Sequence, residues 1–182
     1  MSFKNFLPLF LCFSPILLLA QENMASITTD IEQQVINSYV GFPPLPFEAP
    51  DTDGTKHALQ AYKGRAVVLY FWSTEVETSW KQKTYLEKLQ SEYKPEQLMI
   101  LTMAKEDEKA VADFISNHSF PLSIIPNTDE LGAMGFAGEL GDPRVFLIDT
   151  YGIINELFIG KHFNGETNLY KLLKPHVEAV LK

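Results

Sequence analysis

The sequence almost lacks cysteine, with a single one, Cys12, in 182 residues. An intramolecular disulfide, a multi-cysteine zinc site and a Cys-x-x-Cys redox pair are therefore excluded. Basic residues are also few, 15 Lys and Arg against 23 Asp and Glu, for a formal charge of −8. A nucleic-acid footprint needs clustered positive charge, so nucleic acid is not an expected partner. Histidine is scattered: His57, His118, His162 and His176 show no His-x-x-x-His spacing, and neither a metal nor a cofactor is expected. Met99 and Met103 fall on an apolar strand pattern and read as core, not as soft metal ligands. There is no internal repeat, and no Gly-x-Ser-x-Gly elbow of the kind a hydrolytic serine uses. What is present is 46% hydrophobic positions, enough for one domain with a packed core in a chain too short for two.

Residues 1–20 read MSFKNFLPLFLCFSPILLLA: one positive charge, Lys4, then an uncharged run from Phe6 to Leu19, then the polar Gln21-Glu22-Asn23. This is the pattern of a secretory signal peptide. The run is shorter than the roughly 20 apolar residues of a membrane span, and Pro8 and Pro15 interrupt it. Cleavage after Ala20 is expected, and the protein is expected to be periplasmic or secreted, touching a membrane only if that segment stays attached. Cleavage would also remove Cys12, which lies inside the run and not after small residues at its end. The mature chain would then hold no thiol at all.

Residues 21–40 read as a polar leader, and residues 41–182 as the folded domain. Gly41-Phe42-Pro43-Pro44-Leu45-Pro46 excludes helix and reads as a strap. Asp51-Thr52-Asp53-Gly54 is a turn joining two short extended pieces, Leu45 to Ala49 and Thr55 to Leu59, so a hairpin opens the domain. Ala66 to Trp72 is unbroken apolar sequence, as expected of a strand buried on both faces. Thr74 with Glu77 fits a capping box, predicting one helix from Glu75 to Tyr93, stopped by Pro95. A strand over Leu98 to Met103, a helix over Glu106 to His118 with Val111, Phe114 and Ile115 on one face, and an extended Pro121 to Ile125 follow. Asp129 to Gly135 is a short helical turn. Val145 to Ile148 and Ile153 to Ile159 form a hairpin about Asp149-Thr150-Tyr151-Gly152, and Thr167 to Leu181 closes the chain as a helix, with Pro175 marking a kink or restart. The class is α/β.

The order hairpin, β, α, β, α, β-hairpin, α resembles the thioredoxin-like fold with an extra N-terminal β-hairpin, a central mixed β-sheet flanked by helices. The stretch Tyr62-Lys63-Gly64-Arg65-Ala66-Val67-Val68-Leu69-Tyr70-Phe71-Trp72-Ser73-Thr74 resembles the segment that leads to Cys-Pro-Pro-Cys in the exported TlpA/ResA-type proteins, within the AhpC/TSA-redoxin superfamily. Pro143-Arg144-Val145-Phe146-Leu147-Ile148-Asp149, with Gly152 and Gly160, resembles a second segment of that family. Aligned so, Glu75 stands at the family's tryptophan, Val76 and Ser79 at its two cysteines, and Glu77-Thr78 at its Pro-Pro pair. Thiol-disulfide exchange needs a thiolate to attack and a thiol to resolve, and neither is there. A peroxiredoxin alignment places Glu77 at the peroxidatic cysteine and fares no better.

By the same resemblance, Trp72 precedes the old active-site turn beside a peptide-binding groove, and Pro143 is the family's cis-proline, whose preceding residue, here Asp142, pairs its backbone with an extended peptide. The binding residues expected are Trp72, Thr74, Glu75, Val76, Asp142 and Pro143, with no catalytic residue and Val76 and Ser79 as a degenerate motif. Ser79 as a nucleophile would need a base and an oxyanion hole that the sequence does not offer, so it reads as a helix residue. Glu75 and Glu77 suit the first turn of a helix and also make this face acidic. The expected role is a redox-inactive protein-binding or chaperone-like module for an envelope protein or extended peptide. The alternatives are a thiol-disulfide oxidoreductase-family protein with partner-assisted or residual redox function, and a structural subunit of an envelope complex.

Overall fold

The structure, a computed structural model, describes residues 15–163 and 168–182, with side chains from residue 27 onward. Most of the expected signal segment, and Thr167 at the start of the last helix, lie outside the described residues. Two compact units are distinguished, residues 1–34 and 35–182. Helix α1, Pro15–Tyr39, runs through the Ala20–Gln21 junction and makes the expected leader helical. No helix among the described residues is long and apolar enough to cross a membrane.

Strands β1 (Glu48–Pro50) and β2 (Lys56–Ala58) form the expected hairpin, shorter than the sequence suggests. Its turn is fixed by Asp51, whose Oδ1 accepts the N–H groups of Asp53 and Thr55, while Gly54 takes φ +80°, where a side chain is disfavoured. Strands β3 (Ala66–Trp72), β4 (Leu98–Ala104), β5 (Ile124–Ile125), β6 (Arg144–Ile148) and β7 (Ile154–Ile159) make a second sheet in the order β5-β4-β3-β6-β7. Strand β3 is parallel to β4 and antiparallel to β6, so the sheet is mixed, as the resemblance implies.

All seven residues of β3 are buried, because this central strand is covered on both faces. Val68, Tyr70 and Trp72 face a core completed by Leu86 and Leu89 of α3 (Lys83–Ser91), Val111 of α4 (Glu108–Asn117) and Leu173 of α6 (Leu169–Val180). Val67, Leu69 and Phe71 face the other, with Ile36, Phe47, Phe136 and Phe146. Each such side chain contributes about 1.5–3 kcal/mol by leaving water.

The single helix expected over Glu75–Tyr93 is two: α2 (Glu77–Trp80) and α3, separated at Lys81-Gln82. The expected capping box is absent as well, since the N-cap is Val76 and no side chain caps it. Helix α4 starts later than Glu106 because Asp107 caps it, its carboxylate accepting Ala110 N–H at 2.8 Å. Helix α5 spans Asp129–Gly135, as expected, and α6 continues through Pro175 without a restart.

Candidate functional site

In the sheet register Phe71 of β3 lies opposite Arg144 of β6. The loop leaving β3 and the loop entering β6 therefore meet at one end of the sheet. The first loop is held by side chains. Glu106 Oε1 accepts both the Ser73 hydroxyl at 2.6 Å and the Thr74 N–H at 3.0 Å, and Ser73 Oγ in turn accepts the Glu75 N–H at 3.1 Å. With their N–H groups engaged sideways, Thr74 and Glu75 form a turn, and the helix cannot begin until Glu77. This is the physical reason the capping box fails.

Ser79 closes the loop from within. Its hydroxyl sits within donating distance of Ser73 O (2.9 Å) and Val76 O (2.7 Å) and accepts Ser73 N–H at 3.3 Å, while its own carbonyl accepts the Tyr70 hydroxyl at 2.6 Å. The side chain is fully buried. Ser79 is thus a tie between the two ends of the turn, more than the helix residue its sequence context suggests, and its hydroxyl is inaccessible to a substrate. Burial pushes the Tyr70 phenol well above its ordinary range, so it stays a neutral donor to this tie.

The second loop carries a buried arginine. Arg144 Nε donates to Phe136 O at 2.6 Å and Nη1 to Gly141 O at 3.3 Å, Nη1 also pairs with Asp142 Oδ1, and the guanidinium lies 4.5 Å from the Phe71 ring centre. A Cβ on Gly132 of α5 would collide with Nη2, so a side chain there would displace the guanidinium from its partners. Burial raises the Asp142 carboxyl above its ordinary value despite the Arg144 charge beside it, and burial likewise lowers Arg144. The Asp142-Pro143 peptide bond is cis, and Pro143 is buried against Gly160.

Between the loops lies a cavity of about 240 Å³. Phe71, Val76 and Met103 form its apolar lining; Glu75, Asp142 and Arg144 form its polar side, with Lys105 and Asp129, 3.7 Å apart, at the rim. Of the residues expected from the sequence, Glu75, Val76 and Asp142 converge on this cavity, and Thr74 is anchored next to it by its main chain. Pro143 backs it without lining it. Trp72 requires a correction: it is fully buried on the opposite face of the sheet, stacked 4.9 Å from Phe120, because the alternation of β3 turns it away from Phe71. Its indole Nε1 and Glu106 Oε2 are buried without a hydrogen-bond partner.

Sequence reasoning missed Arg144, Glu106 and Gly132. Arg144 had a signal, a charge opening an otherwise apolar strand, which demands a buried partner. Glu106 had none, since an acidic residue before a helix reads as a solvated first turn. Among the described residues no cluster of His, Cys, Asp and Glu suits a metal ion.

Residues 40–157 match the model of the AhpC/TSA family. The chain belongs to that family. Within AhpC/TSA proteins it is of the TlpA/ResA type: it is 34% identical over 127 residues to a thiol-disulfide oxidoreductase ResA of Bacillus cereus, covering 68% of this chain and 72% of that protein. The thioredoxin-like protein YneN of Bacillus subtilis is 29% identical over 123 residues, covering 62% of this chain and 70% of YneN. Among solved structures, the thioredoxin domain of a thiol-disulfide oxidoreductase from Bacteroides vulgatus superposes with a TM-score of 0.61 at 20% identity, covering 76% of this chain and 97% of that one. A thiol:disulfide interchange protein from Chlorobium tepidum superposes with a TM-score of 0.60 at 18% identity, covering 78% and 97%. These two likenesses establish the thioredoxin-like fold. The family is thus one of thiol-disulfide oxidoreductases.

Proposed function

We propose that this thiol-disulfide oxidoreductase-family protein has kept the peptide-binding end of the fold and dropped the thiol chemistry, and that it works outside the cytoplasm by holding an extended segment of an envelope protein. The observation that carries the reading is the convergence of Glu75, Val76 and Asp142 on one cavity, beside a turn that the buried Ser79 hydroxyl ties to Ser73 by hydrogen bonds. The acidic side chains favour a neutral or cationic segment over an acidic one. The amino-terminal segment supports export.

Restoring the cysteines tests the scaffold directly. The double variant Val76→Cys with Ser79→Cys is expected to gain insulin-disulfide reduction in the presence of dithiothreitol, while the parent chain adds nothing to the uncatalysed rate. A parent chain that reduces insulin would overturn the reading. Trp72, buried in the core, is not a usable probe of the cavity; the exposed Glu75 and a conservative change at Asp142 are, and Glu75→Lys is expected to abolish partner capture and Asp142→Asn, which keeps an acceptor for Arg144, to weaken it. A second reading is favoured by the activity of the ResA relatives: a partner supplies both thiols and uses the cavity as a dock. It predicts capture that is lost when partner thiols are alkylated, whereas the first predicts capture that persists.

A further inference from the structure

At the opposite end of β3, remote from Phe71 and the cavity beside it, a second hollow of about 300 Å³ lies under the proline strap. The strap is fastened on both sides. Gly41 N–H donates to Ile154 O at 2.8 Å and Ile154 N–H to Phe42 O at 3.0 Å; beyond the prolines, Leu59 N–H donates to Phe47 O at 3.1 Å. Pro43, Pro44 and Pro46, which have no N–H to offer, form the roof. Val67 and Ile148, paired across β3 and β6 at this end of the sheet, line the inside with Leu59 and Tyr62.

The Tyr62 wall is rigid. Its hydroxyl lies 2.5 Å from His57 Nδ1, and His57 Nε2 lies 2.9 Å from Asp51 Oδ2, with all three residues buried. Asp51 is held below its ordinary value: burial would raise it, but the His57, Thr55 and Asp53 hydrogen bonds prevail. Both ring nitrogens of His57 are thereby engaged, one by the tyrosine hydroxyl and one by the carboxylate. The phenol is spent inside, leaving the ring to the hollow. Arg65 sits 5.7 Å from that ring centre, and the Lys63 chain runs along Gly152 at the mouth. Two cations thus edge an apolar hollow in a chain of net charge −8, and the one acidic lining residue, Asp149, already accepts the N–H groups of Tyr151 and Ile153.

We propose that this hollow binds a small amphiphilic carboxylate, its apolar body under the strap against Val67 and Ile148 and its carboxylate on Lys63 and Arg65. The volume is at the small end of ligand pockets, which suits a body of roughly ten carbons. The test is titration of the full chain with decanoate and with decan-1-ol, followed by methyl NMR shifts of Val67, Ile148 and Leu59. Decanoate is expected to bind more tightly than the alcohol and to move those methyls, leaving Met103 at the other end unmoved. Lys63→Glu is expected to weaken decanoate by roughly tenfold, the worth of one charged hydrogen bond, with the alcohol unaffected. Lys63 is exposed, so the variant folds. Equal binding of acid and alcohol, shifts centred on Met103, or no saturable binding would each overturn the proposal.

Discussion

At the start of β3, Val67 faces a hollow roofed by prolines, and the buried polar cluster alongside, Asp51–His57–Tyr62, is hydrogen-bonded throughout. At the end of β3, Phe71 faces a cavity edged by Glu75, Asp142 and Arg144, and Glu106 keeps a buried oxygen without a partner. One strand, apolar along its whole length, thus ends in two different solutions to burying polar atoms. The first is satisfied locally by a short hairpin and lends the fold stability. The second holds a buried cation whose nearest carboxylate is itself penalised by burial, and the cation also serves two backbone carbonyls, Phe136 O and Gly141 O.

Breaking the Arg144 pair is the strongest challenge to that contrast. Arg144→Met leaves Asp142, Gly141 O and Phe136 O without their donor and is expected to lower stability by about 3–5 kcal/mol in urea unfolding, with Asp142→Asn recovering part of it in the double variant. At the other end, His57→Phe leaves Asp51 its two backbone donors, and the expected loss is smaller, about 1–3 kcal/mol. Equal losses would erase the difference between the ends.

Ser79→Ala removes the tie across the turn and strands the buried Ser73 N–H, an expected cost of about 1–3 kcal/mol. Acid titration separates the ends by sign. The folded pKa of Asp51 lies below its ordinary 3.8, so its contribution is present above that pH and is lost as pH falls through the lowered value. The folded pKa of Asp142 lies above 3.8, so its contribution is present below that pH and is lost as pH rises through the raised value. Asp51→Asn should therefore flatten a rise of stability with pH, and Asp142→Asn a fall, each read as urea midpoints across the acid range. The smallest effect expected is from Pro44→Ala, about 0.4–1 kcal/mol of destabilisation through a freer unfolded strap, if its neighbours keep their places.

The strands were legible because β3 is an unbroken apolar run, β4 and β6 are apolar apart from Thr102 and Arg144, and Asp51-x-Asp53-Gly54 and Gly152 mark the turns. The helix after β3 was misjudged because Thr74-x-x-Glu77 satisfies a local rule that Glu106, 32 residues away along the chain from Thr74, overrides. The cavity was legible in Glu75, Val76 and Asp142, which loops bring together at the end of a predicted strand. Trp72 was misplaced by one position in an alternation of period two: the residue before it faces the cavity, and it does not. Arg144 stood in plain view beside Asp142, but only the packing shows that its guanidinium lies on Phe71 and against Gly132.

The central claim, that the old redox end binds a protein segment without using thiols, is tested most directly by a photo-crosslinking residue placed at Glu75 in the full chain in its own cells. A single defined adduct is predicted, formed equally after thiols are alkylated with N-ethylmaleimide and reduced in the Asp142→Asn background. An adduct undiminished by Asp142→Asn, or one that vanishes on alkylation, would contradict the account.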